Sequence, residues 1–423
     1  MVTRPARQPR RGALARVIRS DVAASWVLIL AVAVALVWSN GPWSSSYTAT
    51  WLRPTHAGSR AFQDFTTVRA WVNGGLMAVF FLVVGLEIGR ERRHGDLAEI
   101  RTAVVPVAGA LGGMVGAGLV YAAVAHGGPG SSGWGIPMAT DIAFALGALA
   151  LLGRRVPPGL RVFLLTLAVA DDIGSVVVLA VCYSARTYPP ALLAAGGVVA
   201  LLVVIRRSGR AGTVVALTGG TVLWVLLAAG GVEPALAGVV AGLLVPGTRL
   251  IPGGASGDTF DPAGSLEHRV APWSAFFVLP LFAVGNAGIT FHGGLLAAPG
   301  ATAVFVGVGL ARVLGKLAGI ALVCLVVVRL GLGQLPDGMR WRHLAGGAAV
   351  AGIGFTVPLL IAELAFRSDP ALVSAAELGL FAGSAVAFVV GAAVLVWAGP
   401  GEAVGIVQDA RATSGDEGSG ITW

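Results

Sequence analysis

The chain has 423 residues, 56% of them hydrophobic and only 12% charged, with a mean hydropathy of +0.83. Soluble domains carry about 25% charged residues, so this chain suits lipid rather than water as its solvent, and its net charge of +8 is read as membrane topology instead of nucleic-acid binding. Its 2 cysteines, Cys182 and Cys324, are too few for a disulfide framework or a zinc spacing.

Residues 1–21 form a basic segment with Arg4, Arg7, Arg10, Arg11, Arg16 and Arg19. The apolar run that follows, 22–39, has the polarity of a secretory leader. It is longer than the usual apolar core of one, and reads as an uncleaved first span. Further runs are centred near 79, 112, 144, 171, 197, 220, 239, 279, 314, 353 and 386, giving about twelve spans, with 233–246 the shortest. The loop 40–68 carries Trp43, Tyr47, Trp51 and Phe62 and suits a hairpin or an interfacial segment. The tail 399–423 is rich in Gly and Ser and is expected to lack order.

Placing the N-terminus in the cytoplasm leaves Arg53, Arg60, Arg69, Arg186 and Arg367 outside and Arg312 within a span, and puts every other arginine inside. That is the positive-inside pattern, with both termini cytoplasmic. The expected fold is therefore an all-α polytopic membrane protein. Spans three to five begin inside and spans ten to twelve begin outside, so the two triplets are related as inverted repeats. The middle helix of each is interrupted, by Pro137 and Thr140-Asp141 in one and by Gly352-Ile353-Gly354 with Pro358 in the other. Matched interruptions point to a binding site near the membrane midplane.

Ionisable side chains at the bilayer centre cost about 2.5–3.5 kcal/mol each on insertion scales. Asp141, Asp171, Asp172 and Lys316 all fall there, so they must pair, face water or change protonation. Asp171-Asp172 lies mid-helix in LAVADDIGS, where a capping role does not fit. Adjacent helical residues diverge by about 100°, so the two acids should divide their roles. Burial and the neighbouring charge favour holding a proton, which lets the pair exchange a proton for a cation. Lys316 is the chain's sole lysine and sits mid-span. Lysine changes protonation when buried more readily than arginine does, and one Asp of the dyad is its expected partner. Arg312, one helical turn away, faces either a water-filled funnel or a carboxylate. Thr140 and Asp141 at the break could neutralise helix ends and offer oxygen to a hard cation. Glu87 ends span two at the inner face, where a funnel and a solvated helix end are both open readings. Glu363 and Glu377 flank the last external loop without an assigned role.

The motifs GLMAVFFLVVGLE (75–87), ATDIAFALG (139–147), LAVADDIG (167–174), LPLFAVGNAG (279–288), LGKLAGI (314–320) and GIGFT (352–356) resemble those of the NhaA sodium–proton antiporter family, a family that itself exemplifies inverted repeats. The resemblance runs from about 20 to 395. It implies electrogenic export of cytoplasmic sodium or lithium in exchange for external protons, for sodium and pH homeostasis, across a bacterial inner membrane. It implies Asp172 as the main cation ligand, with Asp171 and Thr140 contributing to the Na+ site. It also implies a proton-titrating Asp171–Lys316 salt bridge, Thr140 and Asp141 as the crossing-site pair, and Glu87 at the cytoplasmic funnel. A membrane domain over 22–398 would divide into a core from spans 3–5 and 10–12 and a panel from spans 1, 2, 8 and 9, in a homodimer. No enzymatic activity, no cofactor and no nucleic-acid partner is expected; Na+ or Li+ and H+ are cargo.

Three positions depart from the family pattern. The WIND motif reads Trp71-Val72-Asn73-Gly74, a pH-linked histidine is replaced by Glu233, and the second histidine of LEHxxHPW is Ala271. Histidine is the side chain best placed to sense pH near neutrality. The transport residues are thus present while the pH-setting ones differ. A lone membrane lysine near aspartates also fits a retinal Schiff base, but that needs an aromatic pocket and the spans around Lys316 are mostly Gly, Ala, Val and Leu. An intramembrane aspartyl protease needs its acids on separate helices. A closer alternative is a transporter of the same fold for another monovalent cation.

Overall fold

The computed structural model describes residues 10–55, 62, 65–94, 100–183, 188–208, 212–247, 249–250, 259–290, 296–336 and 338–399, and these are almost entirely helical. Of the tail expected over 399–423 only Gly399 is among them, and 400–423 and the first nine residues lie outside the described residues. Helix α1 (Arg10–Asn40) starts within the basic segment and continues through the first apolar run. The loop after it forms a short helix, α2 (Ser44–Trp51), and a single antiparallel bridge between Pro54 and Thr67.

Helices α3 (Val68–Trp71) and α4 (Met77–His94) form one rod through a π-helical turn at Val72–Leu76. There follow α5 (Ile100–Val124), α6 (Ile142–Leu152), α7 (Pro158–Cys182), α8 (Pro189–Arg207), α9 (Thr213–Gly230) and α10 (Leu236–Leu244). Proline opens α7 and α8, where a missing N–H costs nothing. Strands Arg249–Leu250 and Thr259–Phe260 pair antiparallel before α11 (Pro262–Trp273), which runs through a second π turn, Ser274–Val278, into α12 (Leu279–Asn286). A third π turn, Ala311–Gly315, joins α13 (Ala301–Leu310) to α14 (Lys316–Arg329). The chain ends with α15 (Trp341–Val350), α16 (Thr356–Ala365) and α17 (Pro370–Ala398).

Among the described residues, 8 helical stretches are long and apolar enough to cross a membrane: 23–40, 68–90, 103–124, 158–182, 189–207, 213–230, 301–329 and 370–398. The runs expected near 144, 239, 279 and 353 are carried instead by shorter or interrupted helices. Large apolar side chains such as Leu193, Leu201 and Val214 are exposed on α8 and α9. A continuous apolar exterior with every backbone group bonded inside helices is what lipid requires.

Close glycine contact positions the site. Helix α5 packs through Gly112 and Gly116 against Gly315 of the third π turn and Gly319 of α14. A Cβ on Gly116 would lie 2.5 Å from the Gly315 carbonyl oxygen, so only hydrogen fits there. Helix α7 packs against the same α5. The buried apolar side chains form two main clusters. One includes Val169, Ala311 and Phe355; the other includes Leu167, Ile320 and Ile353. The polar residues at the two helix breaks lie where these clusters meet.

Candidate functional site

Two broken helices cross here. After a 3-10 turn at Ser131–Gly135, residues 136–141 leave helical geometry, and the chain resumes as α6. The second break separates α15 from α16 at 351–355. The backbones meet where Asp141 N–H donates to the Ile353 carbonyl at 2.9 Å.

Such a crossing brings two helix N-termini together and two C-terminal ends together, each a concentration of like partial charge. Asp141 answers the first pair. Its Oδ1 accepts from Phe144 N–H at 3.2 Å, in the first turn of α6. Its Oδ2 accepts from the backbone N–H of Thr356 at 3.3 Å and from the Thr356 hydroxyl at 3.1 Å, at the start of α16. Arg312 answers the second pair. Its Nε donates to Gly352 O at 2.8 Å and its Nη2 to Ala139 O at 3.1 Å. The sequence suggested a funnel or a carboxylate for Arg312. The structure gives neither: the side chain is fully buried and hydrogen-bonded to main-chain carbonyls. Gly354 makes room for it, since a Cβ there would overlap the guanidinium.

Lys316 follows the π turn directly and reaches both the first break and the dyad. Its Nζ donates to Asp171 Oδ2 at 2.5 Å and to Thr140 Oγ1 at 2.9 Å. Thr140 N–H also donates to Asp171 Oδ2, at 2.8 Å, while its hydroxyl donates to Ala351 O at 2.7 Å. Lys316 and Asp171 are both wholly buried. An isolated charge of either sign would be untenable there, and pairing with hydrogen bonding removes that penalty.

Asp172 has different surroundings. It is 6% exposed, and no described residue hydrogen-bonds its carboxylate. It lies within electrostatic reach of Asp171, Glu87, Asp141 and Lys316. The structure thus gathers Thr140, Asp141, Asp171, Asp172 and Lys316 into one buried cluster. Glu87 stands apart from the crossing on α4, 25% exposed and 4.0 Å from the Arg90 guanidinium. Arg90 also pairs with Glu267, one turn before Ala271 on α11. Glu233 is buried at the entry to α10 and accepts from Ala235 N–H at 3.4 Å. At Gly74 the space a side chain would need is filled by the Phe65 ring, and Trp224 Nε1 donates to the Gly74 carbonyl at 2.7 Å. The neighbouring Asn73 exchanges amide hydrogen bonds with Asn286 at 2.8 and 3.0 Å.

Sequence reasoning left two features unassigned that the structure supplies. Arg69, opening α3, lies 3.3 Å from Glu363 on α16, with buried Glu377 of α17 in electrostatic reach of both. Their wide separation in sequence hid this. Ser175, one turn beyond the dyad on α7, is 1% exposed and its Oγ has no hydrogen-bond partner; a serine in an apolar run gives no signal.

Residues 15–395 match the family described as Na+/H+ antiporter 1. The chain belongs to that family. Among similar proteins, the Na(+)/H(+) antiporter NhaA of Thermobifida fusca is 42% identical over 406 residues, covering 93% of this chain and 96% of the relative. That of Acidovorax sp. is 42% identical over 388 residues, covering 91% and 92%. The Na(+)/H(+) antiporter NhaA 1 of Klebsiella pneumoniae is 41% identical over 386 residues, covering 90% and 95%. The family is one of transporters, and the match covers 92–96% of these three relatives' length.

Proposed function

We propose that this chain is an electrogenic antiporter that exports cytoplasmic sodium or lithium in exchange for external protons. Asp172 is the main cation ligand, with Asp171 and Thr140 beside it, and the Asp171–Lys316 pair carries protons. The observation that carries this reading is the contrast within the dyad. Asp171 is held by Lys316 and Thr140, while its neighbour Asp172, 6% exposed, accepts no hydrogen bond from any of the described residues. A buried carboxylate with no donor is stabilised by binding a proton or a cation, and competition between the two is the chemistry of antiport.

In this reading about twelve spans cross a bacterial inner membrane with both termini cytoplasmic. Spans 3–5 and 10–12 form inverted repeats that rock as a core against a panel from spans 1, 2, 8 and 9, in a homodimer. Glu87 draws cations into the cytoplasmic funnel. No cofactor takes part.

The test is sodium-induced proton movement in proteoliposomes across a panel of monovalent cations and pH. Asp172→Asn should abolish it. Normal exchange in that variant removes Asp172 as the ligand, and exchange driven by potassium but not sodium replaces the cargo.

A further inference from the structure

We infer that Ser175 is an additional ligand for the transported cation, an inference that rests on the cation site proposed at the dyad. The argument starts from what helical hydroxyls do elsewhere in this chain. A serine or threonine inside a helix usually returns its proton to the carbonyl one turn back. Thr166 does so to Val162 O at 3.1 Å on the same α7, and Thr218 and Thr221 do so on α9 at 2.8 and 3.0 Å. Ser175 does not. Among the described residues its buried Oγ has no hydrogen-bond partner.

The position is as informative as the missing bond. Ser175 follows Asp171 by four residues and Asp172 by three, so it shares a helix face with both. Helical side chains lean toward the preceding turn, which here holds the dyad. Asp171 Oδ1 is likewise buried with no partner, its other oxygen being taken by Lys316 and Thr140. A carboxylate oxygen and a hydroxyl one turn apart are natural partners, yet these two do not bond. Together with the Asp172 carboxylate they make three oxygen-bearing groups on one buried face. Oxygen donors of this kind suit small hard cations. Thr140 is more committed, its proton given to Ala351 O and one lone pair to Lys316.

As a ligand, Ser175 contributes a neutral oxygen, so it adds affinity without changing the charge the site carries. Full-length protein in detergent is titrated with Na+ and Li+ while its thermal unfolding is followed, and the same variants are assayed for exchange in liposomes. Ser175→Ala should raise the half-saturating Na+ concentration about three- to tenfold in both assays, the size expected for losing one neutral polar contact. Its maximal rate should fall far less. Ser175→Thr, which restores a hydroxyl, should recover much of the affinity. Ser175→Cys, nearly the same size but soft, should lose Na+ affinity as the alanine variant does. Unchanged Na+ dependence in Ser175→Ala and Ser175→Cys overturns the inference. Equal loss in Ser175→Thr also overturns it, because packing would then be the cause. Failure of the unsubstituted protein to exchange sodium would sink the antiport reading instead, and the detergent titration would still report on Ser175.

Discussion

Lys316 holds Asp171 and Thr140 at once from a position with no solvent contact. Removing one partner of a buried ion pair strands the other and costs about 3–5 kcal/mol, whereas removing both costs much less. Lys316→Ala should therefore lower thermal stability sharply, and the double variant Lys316→Ala with Asp171→Ala should recover much of the loss. Equal melting temperatures for the single and double variants would contradict this. Electrogenic exchange should be lost in both, since the pair proposed to carry protons is gone. The dyad, Lys316 and Asp141 are legible in the sequence because an ionisable residue in an apolar run stands out energetically. The partners of Arg312 are not, because a main-chain carbonyl freed by a helix break has no letter of its own. Ser175 is silent for a related reason: a hydroxyl is cheap enough in a membrane helix that its presence demands no explanation.

The long helices follow from apolar length, since about 20 residues are needed to cross the hydrocarbon. The runs near 144 and 353 are equally apolar, yet hydropathy does not say where each helix stops. The matched Gly and Pro residues do so approximately, and the breaks fall at 136–141 and 351–355. The three π turns were not legible at all, because a π turn has no residue signature of its own. The one at Ala311–Gly315 matters most here. It carries Arg312 and ends immediately before Lys316, and both cations reach the breaks, Arg312 at the Ala139 and Gly352 carbonyls and Lys316 at the Thr140 hydroxyl. Gly354 and Arg312 form one unit in this arrangement. Gly354→Ala should mimic Arg312→Gln in both stability and exchange, and the two together should be clearly less than additive. Each alone should cost about 1–3 kcal/mol, the penalty for stranding a buried polar group. Fully additive unfolding energies would show that Gly354 acts through something other than the guanidinium.

Across the whole molecule, the Arg69–Glu363 contact joins α3 to α16, which fall in the proposed panel and core respectively. The two side chains are 32% and 20% exposed, so the pair adds little to stability; its interest lies in what it bridges. If core and panel move against each other, these two positions must separate during the cycle. Cysteines introduced at 69 and 363 and joined by a short bifunctional reagent should stop exchange, and a reducible linker should allow its return. Undiminished exchange at complete cross-linking would place both helices on the same moving part.

The opposed capping at the crossing bears on how the protein behaves in an electric field. Asp141 neutralises the two positive helix ends and Arg312 the two negative ones. Their opposite charges cancel, and neither bond set involves Asp172. In the proposed rocking cycle, a core built this way carries no fixed net charge of its own at the breaks. Moving one elementary charge through the membrane potential involves about 2.3 kcal/mol per 100 mV. With the scaffold's charges cancelled at the crossing, voltage acts on what the dyad and Lys316 hold at each moment. In the proposed cycle the membrane potential then drives the cargo's step directly, and the broken helices serve as an insulated carriage for it.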